Sequence, residues 1–273
     1  MRIAAGATVG ALQAALPLDP LENRILLCHA LGLSRVGLIT QSHRALDAAE
    51  AAALGALVAR RLAGEPIAYI VGRREFFGLD LRVTDAVLIP RPDTELLVEL
   101  ALERLAPGAA LLDMGTGSGA IAIAVGHTRP DARVSALDAS EAALAVARAN
   151  AAAHAVPVRF LHSDWFGALA GERFDMIVAN PPYIASGDVH LSEGDLRFEP
   201  MAALTDHADG LAALRSIVAG AAAHLEAGAW LLLEHGYDQA AQVRALLAAH
   251  GYSEVQSWRD LSAIERVSGG IRV

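Results

Sequence analysis

Lysine is absent from the 273 residues: all 22 basic side chains are arginine, so no lysine amine is available for Schiff-base chemistry. Cysteine occurs once, at Cys28, which excludes an intrachain disulfide framework and makes a reducing cytoplasm the expected compartment. No apolar run approaches the ~20 residues of a membrane helix, so no membrane partner is expected. The opening MRIAAGATVGALQAALPLD carries Gln13 inside its apolar stretch and no small-residue cleavage site, and it reads as an amphipathic helix rather than an export signal. Positive charge is also short. The net charge is −9, with nine Arg against eight acids over residues 1–90 and thirteen against twenty-three over 91–273, which argues against wholesale wrapping of nucleic acid. The ten His residues show no metal-ligand spacing, and no metal is expected. Neither a G-x-x-x-x-G-K phosphate loop nor a G-x-S-x-G nucleophile elbow is present.

What the chain does have is apolar residues, 54% of the total, enough for one large domain or a medium one with a small companion. Helical patterns run from Val9 to Leu16 and from Leu21 to Leu31. A third is opened by Asp47 with Glu50 three residues on, a capping-box pattern reaching about Ala63. Residues 1–64 are thus expected to form a helical domain, and alternating apolar residues around Gly72 and Gly78 predict a hairpin linker over 65–90. Residues 91–273 form the main domain. It opens with a helix from Arg91 to Leu105 capped by Asp93 or Thr94. From Ala109 onward, short apolar strands alternate with Ala-rich helices, which predicts an α/β fold with a doubly wound, mostly parallel sheet. The closing AIERVSGGIRV is expected to pair antiparallel with Ser253 to Trp258.

The segment LLDMGTGSGAIAIA puts Asp113 at the end of the first strand, with Gly115, Thr116, Gly117, Ser118 and Gly119 in the turn that opens the first helix. Such glycines let the backbone approach a ligand, and the helix start offers free N–H groups to a carboxylate. The spacing is G-x-G-x-G and not the G-x-G-x-x-G of dinucleotide sites, which points to S-adenosylmethionine. Asp138 ends the next strand, where a carboxylate can accept ribose hydroxyls, while Ser140 is the better helix cap. Asp164 and Trp165, after the third strand, are placed to hold the amino group and cover the face of an adenine ring.

At the end of the fourth strand stands FDMIVANPPYI. Pro181 and Pro182 fix φ and keep Asn180 and Pro181 out of helical geometry, so a stiff extended loop leaves the strand. Asn180 then offers a side-chain oxygen, Pro181 a backbone oxygen and Tyr183 a flat face. That set suits a planar –NH2 donor, either a carboxamide or the exocyclic amine of a base such as adenine N6 or guanine N2. His235, after the strand LLLE, has two readings, an approach to the active-site side of the sheet or, the favoured one, a plain surface or packing histidine. The long connection from Ile184 to Asp209 is expected to border the substrate entrance.

Over nearly its whole length the sequence resembles the bacterial release-factor glutamine methyltransferases. The resemblance rests on REFFG, VLIPRPDTE, LDMGTGSGAIAIA, FDMIVANPPYI, FEP at Phe198 to Pro200, DGL at Asp209 to Leu211, LLLEHGYDQ and the closing ERV. NPPY alone is shared with DNA adenine and ribosomal RNA guanine methyltransferases; IPRPDTE joined to NPPYI is far more specific. The resemblance implies a seven-stranded class I methyltransferase sheet. It also implies S-adenosylmethionine contacts at Gly115 to Gly119, Asp138, Trp165 and Asn180, and substrate contacts along Asn180, Pro181, Pro182 and Tyr183. The implied target is the glutamine of the Gly-Gly-Gln tip of class 1 peptide-chain release factors, gripped in part by the N-terminal helices, with no direct nucleic-acid contact. His235 stands where that family more often has an apolar residue.

Overall fold

In the computed structural model, which describes residues 1–273, the first third of the chain becomes five helices in a unit of its own, Met1–Gly72. They are α1 (Val9–Ala15), α2 (Pro20–Leu31), α3 (Arg35–Thr40), α4 (Ala48–Leu62) and α5 (Ile67–Val71). The capping box is present: Asp47 accepts the Glu50 amide at 2.8 Å and Glu50 accepts the Asp47 amide at 3.1 Å. Leu26, Leu27, Leu38, Leu54 and Val58 are buried together, each such side chain stabilising the fold by ~1.5–3 kcal/mol. Two elements differ from the sequence reading. α3 is a six-residue helix capped by Ser34, too short to show periodicity. α5 occupies IAYIV, whose alternation suggested a strand; Pro66 starts it and Gly72 ends it in left-handed geometry.

The second unit, Arg73–Val273, begins with the hairpin β1 (Arg73–Phe76) and β2 (Leu79–Arg82). Phe77 and Gly78 between them have φ of 52° and 78°, the handedness a two-residue hairpin turn requires. A short 3₁₀ turn at Pro92–Thr94 leads into α6 (Glu95–Arg104). There follow β3 (Ala110–Met114), α7 (Ala120–Thr128), β4 (Arg133–Asp138), α8 (Glu141–Ala153), β5 (Val158–His162), β6 (Phe174–Ala179) and α9 (Met201–Leu204). The chain closes with α10 (Ala212–Ala221), β7 (Leu225–Glu234), α11 (Ala240–Ala249), β8 (Tyr252–Arg259) and β9 (Glu265–Arg272).

Strands β3 to β9 form one seven-stranded sheet in the order β5-β4-β3-β6-β7-β9-β8. The first five in that order pair in parallel, whereas β9 lies antiparallel between β7 and β8, with Trp258 opposite Val267. Successive residues of the central strands serve two cores. Leu111, Met176, Val178 and Leu232 pack on the face carrying α6 and α7, while Leu112, Ile177, Ala179 and Leu233 pack on the face carrying α10 and α11. Burial on both faces explains why these strands read as near-continuous apolar runs. The order reverses between β3 and β6, so their carboxyl ends diverge and open a crevice, the usual ligand position in such sheets.

Candidate active site

A cavity of about 350 Å³ fills that crevice. Of the residues singled out from sequence, Gly115, Thr116, Gly117, Ser118, Asp138, Asp164, Trp165, Asn180 and Pro182 line it; Asp113, Gly119, Pro181 and Tyr183 do not. Arg91, Thr94, Pro200, Ala202 and Ala203 complete one wall.

The glycine loop follows from β3 ending in a β-to-α turn. Gly115 and Gly117 have φ of 71° and 54°, and an added Cβ at either meets no atom within 4 Å, so the loop presents bare backbone to open space. Asp138 holds this shape: one carboxylate oxygen accepts the Gly117 amide and the other the Ser140 amide, both at 2.9 Å. Each oxygen keeps a further lone pair for a ligand hydroxyl. Ser140 caps α8 through the Ala143 amide, as expected. Gly119 serves packing instead, since a Cβ there would lie 2.8 Å from Ile123 and 3.2 Å from Ala147.

Asp113 lies beneath the loop, fully buried, where one carboxylate oxygen accepts the Thr116 hydroxyl at 2.6 Å and the Ala122 amide at 3.3 Å. Its other oxygen has no partner. Burial raises its pKa to about 7 despite those bonds. Across the cavity, Trp165 sits in left-handed backbone geometry with φ of 43°, uncommon for a bulky residue. The Ser163 hydroxyl secures it by donating to the Trp165 carbonyl at 2.8 Å. Asp164 is exposed beside it.

Asn180 leaves β6 with its side-chain nitrogen donating to the Thr94 hydroxyl oxygen at 3.2 Å. Thr94 stands at the N-cap position of α6, as the sequence allows, but its side chain makes no capping hydrogen bond. Glu234, at the end of β7, is also buried, and that burial raises its carboxyl to about 7. Tyr183 has a different place from the one its flat ring suggested: it packs against the core, and its hydroxyl lies 3.4 Å from Glu234 Oε1. Burial, then the Glu234 charge, push that hydroxyl well above the usual tyrosine pKa. The Tyr183 carbonyl accepts from Gln239 Nε2 at 3.0 Å, and the same nitrogen donates to the Gly210 carbonyl. Gly210 has φ of 80°, and a Cβ on it would stand 2.4 Å from the Tyr183 carbonyl oxygen. Only glycine lets DGL press this closely on the NPPY turn.

Glu199 makes a second brace. Fully buried, it accepts the Ile89 amide at 3.0 Å and pairs with Arg91, tying FEP to IPRP and bringing Pro200 and α9 to the cavity wall. Burial raises its pKa more than Arg91 lowers it. The long connection thus carries its own short helices and an ordered edge, Ile184 bridging Thr205. Glu199→Ala should remove the acceptor of the Ile89 amide, whose hydrogen exchange, measured by NMR, should accelerate by at least ~10-fold, the loss of about one charge-assisted bond. Unchanged protection at Ile89 would mean that the wall does not depend on this brace.

His235 is buried with Nδ1 donating to the Gly236 carbonyl at 2.9 Å and Nε2 at 2.7 Å from the Ser268 hydroxyl, away from the cavity. Burial lowers its pKa, in keeping with a neutral packing histidine. No group of three or more His, Cys, Asp or Glu side chains is placed to hold a metal ion. No helix is long and apolar enough to cross a membrane.

Residues 92–195 match the methyltransferase small domain, and residues 7–72 match the PrmC N-terminal domain. Among solved structures, a methyltransferase from Pyrococcus furiosus shares the fold, with a TM-score of 0.56 and 20% identity, covering 78% of this chain and 96% of that one. Fold and site together define a methyltransferase of class I. Release factor glutamine methyltransferase of Burkholderia pseudomallei is 59% identical over 97% of this chain and 96% of its own length. Its counterpart in Bordetella pertussis is 55% identical over 93% and 95%. The chain belongs to the release factor glutamine methyltransferase family.

Proposed function

We propose that the cavity binds S-adenosylmethionine and that the chain methylates the side-chain amide nitrogen of the glutamine in the Gly-Gly-Gln motif of class 1 release factors. The observation that carries this reading is the NPPY turn. With its nitrogen engaged by Thr94, Asn180 has its oxygen left as an acceptor, and no hydrogen bond within the chain ends on the Pro181 carbonyl. Two fixed acceptors after a central strand suit the two N–H bonds of a carboxamide.

The cavity fits the cofactor in three places. The bare backbone at Gly115 and Gly117 and the start of α7, which has no side-chain cap, suit the amino-acid end. Asp138 suits the ribose, and Asp164 with Trp165 suits the adenine. When bound, S-adenosylmethionine supplies an electrophilic methyl group. The chain's own work is orientation. An amide nitrogen is a weak nucleophile because its lone pair is shared with the carbonyl. Acceptors on both N–H bonds hold it in line at ~3–3.5 Å and favour the positive charge that develops there. The helices of Met1–Gly72 are the candidate grip on the partner protein, and the cytoplasm is the proposed compartment.

Mass spectrometry of a release-factor peptide after incubation with enzyme and cofactor tests the reading. One added methyl on the Gly-Gly-Gln glutamine is expected; methylation of DNA or RNA instead would overturn it. The ribose role has its own test. Asp138→Ala should weaken S-adenosylmethionine binding by ~10–100-fold, the worth of about one hydrogen bond to a charged group. Equal affinities by calorimetry would remove Asp138 from that role.

A further inference from the structure

The prolines of NPPY fix φ at residues 181 and 182 but leave ψ free, and the direction of the Pro181 carbonyl depends on those free torsions. Residues 180–183 belong to no helix or strand, so no backbone ladder holds the turn. Its near end is fastened to β6. Its far end is the peptide unit between Tyr183 and Ile184, and that unit is held on both sides. The Ile184 amide donates to the Leu204 carbonyl at 3.0 Å, and the Tyr183 carbonyl accepts from Gln239 Nε2 at 3.0 Å.

Gln239 stands at the N-cap position of α11, where glutamine is not among the favoured caps, and it makes no capping hydrogen bond. Its side chain is turned to NPPY instead, and the residue is 8% exposed. Oε1 accepts the Gly236 amide at 2.9 Å, while the two Nε2 protons go to the Tyr183 carbonyl and, at 3.2 Å, the Gly210 carbonyl. A backbone amide only donates and a carbonyl only accepts, so these partners admit one orientation of the side-chain amide. Gly236 is itself fixed, because its carbonyl accepts from the buried His235.

We infer that Gln239 is a positioning residue for methyl transfer: by fixing the Tyr183–Ile184 peptide it sets the far end of the NPPY turn, and so the aim of Asn180 Oδ1 and the Pro181 carbonyl at the target amide. Gln239 does not line the cavity, so it acts through the turn alone. The catalytic consequence rests on the function proposed above, whereas the fixing of the peptide does not.

The test uses Gln239→Met and Gln239→Glu in the full chain. Methionine keeps the length of the side chain without its hydrogen bonds. In Gln239→Glu the shape and the acceptor for Gly236 are kept, but a second oxygen faces two carbonyls and has no proton for either. Circular dichroism at the assay temperature should show both variants folded, and unfolding of both would mark Gln239 as a residue of the fold and overturn the assignment. In the free enzyme, NMR should show the Ile184 amide exchanging at least ~10-fold faster in each folded variant, the loss of about one hydrogen bond at the other end of the same peptide. Single-turnover methyl transfer, at saturating cofactor and release factor, should slow by roughly 10–100-fold, the scale set by a displacement of up to about 1 Å. S-adenosylmethionine affinity by calorimetry should hold within about 2-fold, because the cavity and Gln239 are independent sites. A generally loosened fold would weaken rate and affinity together. Unchanged exchange at Ile184, a wild-type rate in the folded variants, or an affinity loss as large as the rate loss would each overturn the inference. Wild-type enzyme that leaves release factor unmethylated while Ile184 responds as expected would sink the proposed function and uphold the fixing of the turn.

Discussion

Asn180→Ala is expected to slow single-turnover methyl transfer to release factor by ~10²–10³-fold, the cost of removing one preorganised electrostatic contact from a transition state. The side chain lost is the acceptor whose value is greatest while charge builds on the amide nitrogen, so the loss should fall on the rate. The fold should survive, because Asn180 is only partly buried and its one side-chain bond goes to Thr94. Cofactor affinity should change far less than the rate, although Asn180 lines the same cavity as the glycine loop. Transfer by Asn180→Ala at the wild-type rate, with both ligands saturating, would reduce NPPY to a structural turn.

Gly117→Val should abolish cofactor binding while the protein stays folded. A branched residue at φ of 54° carries strain of ~1–3 kcal/mol, and the loop relieves it by moving. Movement takes the Gly117 amide from Asp138, at a further ~1.5–3 kcal/mol. Together these predict at least a ~100-fold loss of S-adenosylmethionine affinity by calorimetry. Wild-type affinity would show that the loop tolerates a side chain and is not in close approach to the ligand. Circular dichroism and melting of the variant report whether packing has been preserved.

The sheet was legible in the sequence because its strands are short apolar runs separated by helical ones, and burial on both faces imposes that pattern. The antiparallel pairing of the closing segment with Ser253 to Trp258 was legible too. The short α3 and α5 were not, since six and five residues span too few turns to show a helical period. In the cavity, the residues of local motifs, Gly117 and Asn180 among them, stand out because a turn after a strand leaves a signature in neighbouring positions. The braces do not. Thr94 meets Asn180 across 86 positions, Glu199 meets Arg91 across 108, and Gln239 meets the Tyr183 carbonyl across 56. Each lay inside a recognisable motif, but a threonine before a helix, a loop glutamate and a glutamine at a helix start look ordinary until the fold brings them together.

The two carboxyls buried at strand ends beneath and beside the cavity make the fold a proton reservoir. Burial raises both Asp113 and Glu234 to about 7, whereas in the unfolded chain they return to ordinary carboxylate values near 4. Between those limits the native state holds more protons than the unfolded state, so the contribution of both groups to stability falls as pH rises from about 4 toward 7 and levels off above it. His235 works in the opposite sense: its lowered pKa makes the unfolded chain the better proton acceptor below about 6.5, so its contribution is lost on acidification. Near neutrality, then, the protein keeps two acidic groups in the apolar end of its sheet at the expense of some resistance to unfolding, and mildly acid solution relieves the part owed to Asp113 and Glu234.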